Sequence, residues 1–241
     1  MSRLTSGIQY VQLMASLPAL GPMLVARKAP INRVRLQARL RQLLRPEHLI
    51  EIQAVASIVA WPQQPLLASD TDFVRKARMV IPALRSETLR RLAHDRLELR
   101  TVIAALRRRH AGQDAPADGE VWGYGRNVDR IRKHWREPDF GVGHVFKWIL
   151  PAKEKIDRDD ASGLERIVLE AAWRQADRLI GSHDFDFEAV ALYVIRWDLL
   201  DRWTRYDAEA AAARFDALVI EALKAASTSR MTTADLTEAA A

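Results

Sequence analysis

The sequence predicts an all-α fold, a multi-helix bundle of antiparallel helices that can divide into two helical lobes. Apolar residues recur at helical spacing through most of the chain, helix-capping and helix-stopping residues bracket those runs, and stretches with the strict alternation of a strand are nearly lacking. The strongest signal is FDFEAVALYVIRWDLLDRWTR, Phe185 to Arg205. Between Phe187 and Ile195 its apolar residues fall on every face of a helix, so other helices must surround it. Asp186 is the expected N-cap, with Phe185 stapling onto Val190 one turn inside. Further on, Asp198, Asp201, Arg202 and Arg205 collect on one side, which takes the helix from deep core to a half-exposed face.

In chain order, Ile8 to Met14 fits either a short strand or the first turns of a helix, and SLPALGP (Ser16 to Pro22) stops either. Asn32 is expected to cap a helix over 33–44, with Val34, Leu36, Leu40, Leu43 and Leu44 apolar and Arg33, Arg35, Arg39, Arg41 and Arg45 forming the densest basic face. Pro46 and Glu47 start a second helix through Trp61, ended by Pro62 and Pro65, so the two form a hairpin. Asp70 or Asp72 opens a third helix up to Ile81, interrupted by Pro82. Ser86 starts a long helix with Leu89, Leu92, Leu99, Val102, Ile103 and Leu106 on its apolar side and Gly112 as its stop. Arg107, Arg108, Arg109 and His110 in its last turn complement the helix dipole.

Gln113 to Glu120 has a linker's composition, which divides the chain into an N-terminal lobe (1–112), a linker (113–124) and a C-terminal lobe (125–226). In the second lobe, helices are expected near 126–136 and 142–150, then a turn at Lys153 to Asp157. Ser162 is expected to cap a helix ended by Gly181. An alanine-rich helix over 207–226 and a disordered tail at 227–241 complete the chain.

The 241 residues suffice for a sizeable core without crosslinks. The absence of cysteine excludes disulfides and thiolate metal sites and fits a reducing cytoplasm. With 37 basic and 31 acidic side chains the formal charge is +6, a mild basicity that suits an anionic or acidic partner. No run approaches the roughly 18 to 20 apolar residues of a membrane span, and the N-terminus has no signal-peptide pattern.

Motifs that could carry chemistry each have a plainer reading. GYGRN at Gly123 to Asn127 has two glycines but no Walker lysine, and reads as a loop before a helix. DFG at Asp139 to Gly141 stands without the other kinase elements and reads as a turn. DRDD at Asp157 to Asp160, and His183 with Asp184 and Asp186, have metal-binding side chains but also the acidic character of helix starts. No nucleophile signature or HExxH is present, so no enzyme, cofactor or metal is expected. The arginine clusters at Arg33 to Arg45, Arg85 to Arg109 and Arg126 to Arg136, with Trp122, Tyr124 and Trp135, leave a nucleic-acid surface as the alternative to solvated faces and internal salt bridges.

Three segments together carry a family resemblance: YVQLMASLPAL (Tyr10 to Leu20), PDFGV (Pro138 to Val142) and WRQADRLIGSHDFDFEAVALYVIRWDLLDRW (Trp173 to Trp203). They resemble a bacterial family of unassigned biochemical role that is encoded inside V/A-type ATPase operons. Its members typically begin with a tyrosine-rich segment running into ASLP and end with a long apolar helix closing on RW. In those operons the family's gene sits where others encode the C subunit, also called subunit d, which is all-helical and couples the rotating shaft to the membrane proteolipid ring. Asp95 to Gly112 is similar to the acidic-then-basic helix of such subunits. The resemblance therefore implies a non-catalytic coupling subunit or assembly factor, cytoplasmic and peripheral to the inner membrane, binding other V/A-type ATPase subunits and no nucleotide directly. Expected contacts are Arg33, Arg35, Arg39 and Arg41 on one face, and Glu98, Arg100, Arg107, Arg108 and Arg109 on the other.

Overall fold

A computed structural model describes residues 2–59 and 70–205, and among these the fold is all-α with no strand. The helices are α1 (Ser2–Ser16), α2 (Arg33–Leu43), α3 (Pro46–Val59), α4 (Asp70–Ala83), α5 (Glu87–His110), α6 (Val128–Lys133), α7 (Ile149–Asp157), α8 (Ala161–Ile180) and α9, described over 187–205, with a single 3-10 turn at Met23–Val25. The ambiguous first segment is helical because Tyr10, Leu13 and Leu17 fall on one side at helical spacing, and all three are buried. Trp61, Pro62 and Pro65, the helix expected at 207–226 and the tail at 227–241 lie outside the described residues.

Local capping chemistry sets several helix starts where it was expected. Asn32 Oδ1 accepts the Arg35 amide at 2.8 Å, Ser86 Oγ accepts that of Leu89 at 3.3 Å, and Asp186 Oδ1 accepts that of Ala189 at 2.8 Å. The cap of α8 differs from expectation: it is Asp160, accepting the Gly163 amide at 2.7 Å, with Ser162 already inside the helix. A carboxylate is favoured at that end by the helix dipole, and Lys155 holds it there at 2.8 Å. At the other end of α5, Gly112 adopts φ +73° and the Gln113 amide reaches back to Arg108 O at 3.0 Å, satisfying the last carbonyls.

Two helix boundaries depart from the sequence reading. Pro82 does not interrupt α4 at Ile81; it sits exposed in the last turn, and the helix ends at Ala83. There the lost amide affects only its own hydrogen bond, and water can reach the freed carbonyl. The helix expected over 142–150 is a succession of turns, and α7 begins at Ile149 and absorbs the turn expected at 153–157. Asp139 is the reason: its carboxylate accepts the amides of Gly141 at 3.0 Å and Gly143 at 3.1 Å, while Phe140 and Gly141 take φ of 51° and 66°. DFG is thus a carboxylate-held turn, with Phe140 driven into the core.

Two apolar cores result, and the chain does not divide between them at residue 113. One gathers α1 to α4, the first half of α5 through Leu97, the end of α8 and α9 from Phe187 to Trp197. The other gathers Leu99 to Leu106 of α5, α6, α7, the start of α8 and Leu199, Leu200 and Trp203 of α9. Helices α5, α8 and α9 run through both. At 1.5 Å per residue the 24 residues of α5 span about 36 Å, so one helix supplies the floor of two cores.

Nor is the 113–124 segment the flexible linker that its composition suggested. Trp122 is only 2% exposed within the second core, the Tyr124 amide donates to Thr101 Oγ1 at 2.9 Å, and Trp135 Nε1 donates to Gln113 O at 3.2 Å. A buried tryptophan and backbone bonds to α5 outweigh a glycine- and aspartate-rich composition. On the opposite side, the stretch between α1 and α2 is strapped to α9: Tyr193 Oη donates to Pro18 O at 2.8 Å and Trp197 Nε1 to Ile31 O at 2.9 Å.

Candidate functional site

The arginines expected to form contact surfaces are used in different ways. Arg33 reaches across the surface to α9, its guanidinium 2.8 Å from Asp198 and 3.0 Å from Asp201 and lying over the Trp197 ring at 5.0 Å. Arg39 donates to Ser16 O, tying α2 to the end of α1. Arg35 and Arg41 are exposed and make no ion pair among the described residues.

The second group is mostly structural. Arg109 donates to the carbonyls of Trp135 (3.1 Å), Glu137 (2.5 Å) and Pro138 (2.9 Å) and covers the Phe140 ring at 4.0 Å, so it fastens the DFG turn to α5. Arg108 pairs with Glu120 at 2.9 Å, and Arg100 stacks on Phe73 at 3.7 Å. Arg107 is exposed. Glu98 is 8% exposed and faces the interior. Its carboxylate accepts the Arg126 amide at 3.0 Å and Asn127 Nδ2 at 3.3 Å.

The same contacts explain GYGRN. A Cβ on Gly125, whose φ is +108°, would lie 2.4 Å from Glu98 Cγ, and one on Gly123 would lie 2.6 Å from Thr101 Cγ2. The glycines let this loop press onto α5. Its Arg126 amide, which in a phosphate loop would face a ligand, is taken by the protein's own carboxylate. Trp122 and Trp135 are both buried, which removes them as stacking platforms for bases.

The acidic clusters are likewise engaged. Lys153 and then the nearby His110 and Arg109 hold the Asp157 carboxyl below the usual carboxylate range, and Lys155 with the Gly163 amide does the same for Asp160. Around His183, ligand atoms of His183, Asp186 and Glu188 lie within 4.8 Å of one another, and Asp184 is not part of the group. Both ring nitrogens of His183 are occupied, Nδ1 by Asp186 Oδ2 at 2.6 Å and Nε2 by Thr88 Oγ1 at 2.9 Å, while the other oxygen of Asp186 caps α9. The cluster is a strut between the starts of α5 and α9.

What the sequence reading missed is a cavity of about 340 Å³ between α2, α3, α8 and α9, with Arg96 of α5 in its wall. Leu36, Leu40, Ile52, Val59, Val168 and Leu169 make most of the lining apolar. Arg96 is 4% exposed; one Nη donates to Ala172 O at 3.3 Å, and Nε has no hydrogen-bond partner among the described residues. Burial pushes its pKa down to about 10, against the opposing pull of Asp198 and Asp95, so it is still a cation at neutral pH. Two ion pairs flank it, Arg33 with Asp198 at 2.8 Å and Arg202 with Glu165 at 2.5 Å. In the sequence, Arg96 is one basic residue among many on an amphipathic helix, and only its packing distinguishes it.

Among the described residues no helix is long and apolar enough to cross a membrane. No protein-family model, characterised protein or solved structure matches the chain.

Proposed function

We propose that the chain is a non-catalytic coupling subunit of a bacterial V/A-type ATPase, linking the central rotor shaft to the membrane proteolipid ring and so supporting ion transport powered elsewhere in the complex. The family resemblance supplies the identity of the partners; the outer face of α2 is the observation that carries the reading. There Val34 is 76% exposed beside Arg35, which makes no ion pair among the described residues, while Arg33 and Arg39 on the same helix are tied to α9 and α1. Arginine next to exposed apolar surface is a composition that protein interfaces favour. Two cores bridged by three continuous helices also suit an element that must transmit force without bending. In this reading the protein is cytoplasmic, reaches the membrane only through its partners, and leaves ATP hydrolysis or synthesis to other subunits.

The test is affinity purification of the tagged full-length chain from native membranes, with co-purifying proteins identified by mass spectrometry. V/A-type ATPase subunits are expected at comparable abundance. A Val34→Asp, Arg35→Glu double substitution should cut their recovery about tenfold or more, equivalent to about 1.4 kcal/mol of binding. Recovery without any V/A-type ATPase subunit overturns the proposal.

A further inference from the structure

The cavity beside Arg96 has a feature that packing alone leaves without a purpose. A buried guanidinium costs several kcal/mol of desolvation unless hydrogen bonds and an opposite charge offset it. Among the described residues Arg96 has one long bond to a helix carbonyl, an unpartnered Nε, and no carboxylate of its own. Asp198, whose charge opposes the loss of the Arg96 proton together with that of Asp95, is bonded to Arg33.

The charges around the cavity do not balance. Of the arginines lining it, Arg33 is matched by Asp198 and by Asp201 just outside, and Arg202 by Glu165, which leaves Arg41 at the rim and Arg96 within. The rest of the wall is mostly hydrocarbon from α2, α3, α8 and α9, with Gln37 and Gln53 as its polar exceptions. A site of this kind rejects water-like anions, which would lose hydration against apolar walls, and it rejects neutral hydrocarbons, which would leave the cation unpaired. It fits a molecule with one anionic end and an apolar body. The volume of about 340 Å³ lies at the small end of the range for ligand pockets, roughly 300 to 1,000 Å³.

We propose that this cavity binds a single-chain carboxylate amphiphile, its headgroup on the Arg96 guanidinium and its hydrocarbon chain along Leu36, Leu40, Ile52 and Leu169. The guanidinium fork matches a carboxylate in a way that a point charge would not. Occupancy would set a counter-charge beside Arg96 and join α2 and α3 to α8 and α9 across the space. The site is independent of the α2 outer face, so it stands or falls apart from the subunit assignment.

Isothermal titration calorimetry of delipidated full-length protein with decanoate, below its micellar concentration, tests this directly. Saturable binding at one site is expected, with 1-decanol at least tenfold weaker. Arg96→Met should weaken decanoate at least tenfold. Ala56→Trp, placed at a half-exposed position on the cavity wall, should abolish binding while circular dichroism and the melting temperature report an intact fold. Absence of saturable decanoate binding overturns the proposal, as it would if a partner's helix rather than a small molecule filled the groove. Equal affinity for decanol, or binding unchanged in both variants, overturns it as well.

Discussion

Arg96 and Glu98 lie two residues apart on α5, both buried and both charged, yet their surroundings are opposite. Two residues along a helix turn a side chain through about 200°, so the pair faces different parts of the molecule. Glu98 looks toward the GYGRN loop, which folds onto it with a backbone amide, an asparagine amide and an arginine side chain at 3.4 Å. Arg96 looks toward α8 and α9 and meets one carbonyl and an open cavity. The first charge has been built into the fold; the second has been left available. A buried charge is therefore informative about function only after its partners have been examined.

The comparison is sharpest at the glycine that lets the loop reach Glu98. Gly125→Ala places a Cβ 2.4 Å from Glu98 Cγ at a φ of +108°, and it should cost about 3 kcal/mol. That corresponds to a fall in melting temperature of about 6 to 12 °C, readable by calorimetry. A wild-type melting temperature in this variant would mean that the loop does not press on Glu98.

Glu98→Ala should cost about 2 kcal/mol, because the Arg126 amide loses its acceptor. Arg96→Met should move stability the other way, from no change to a gain of about 1 kcal/mol, since replacing an incompletely paired buried charge with an apolar side chain is often neutral or stabilising. Urea unfolding of both variants decides the matter. A loss above about 2 kcal/mol for Arg96→Met would place Arg96 with Glu98 as a structural charge.

A smaller effect comes from His48, which stacks between Tyr10 and Phe187 and shares a hydrogen bond with the Tyr10 hydroxyl through Nδ1. Burial first, then Arg45, lowers its pKa below the ordinary 6.5, with Glu47, Glu51 and Glu188 opposing. The unfolded chain thus takes up a proton at a higher pH than the folded one. Stability is fully present above about pH 6.5 and declines as pH falls toward and through the folded-state pKa. Melting temperatures at pH 7.5 and 5.5 should differ less in His48→Gln than in the parent protein; an equal difference would show that other groups carry the pH dependence.

Much of the helical framework could be read without coordinates. Asn32, Ser86 and Asp186 announce their helices, and Phe187 to Ile195 is so uniformly apolar that it had to lie in a core. Errors came where one side chain outbid a pattern: Asp139 captured two amides and turned an expected helix into turns, and Trp122 drew an apparent linker into the interior. Among the charges singled out for contact, Glu98 is buried and the half-buried Arg109 is tied to three backbone carbonyls, whereas Arg96 was overlooked.

The sequence by itself determined the helices, their caps and the need to bury Phe187 to Trp197, because those depend on neighbours within about a turn of helix. Only the tertiary structure decided that α5, α8 and α9 each serve two cores, which arginines are spent internally, and that a cavity opens beside Arg96. These outcomes depend on elements far apart in the chain: α2 and α9, whose contact at Arg33 and Asp198 joins residues 165 apart, are brought together by packing. Whether a charge ends up paired, solvated or facing a cavity is a property of that meeting, and no local pattern specifies it.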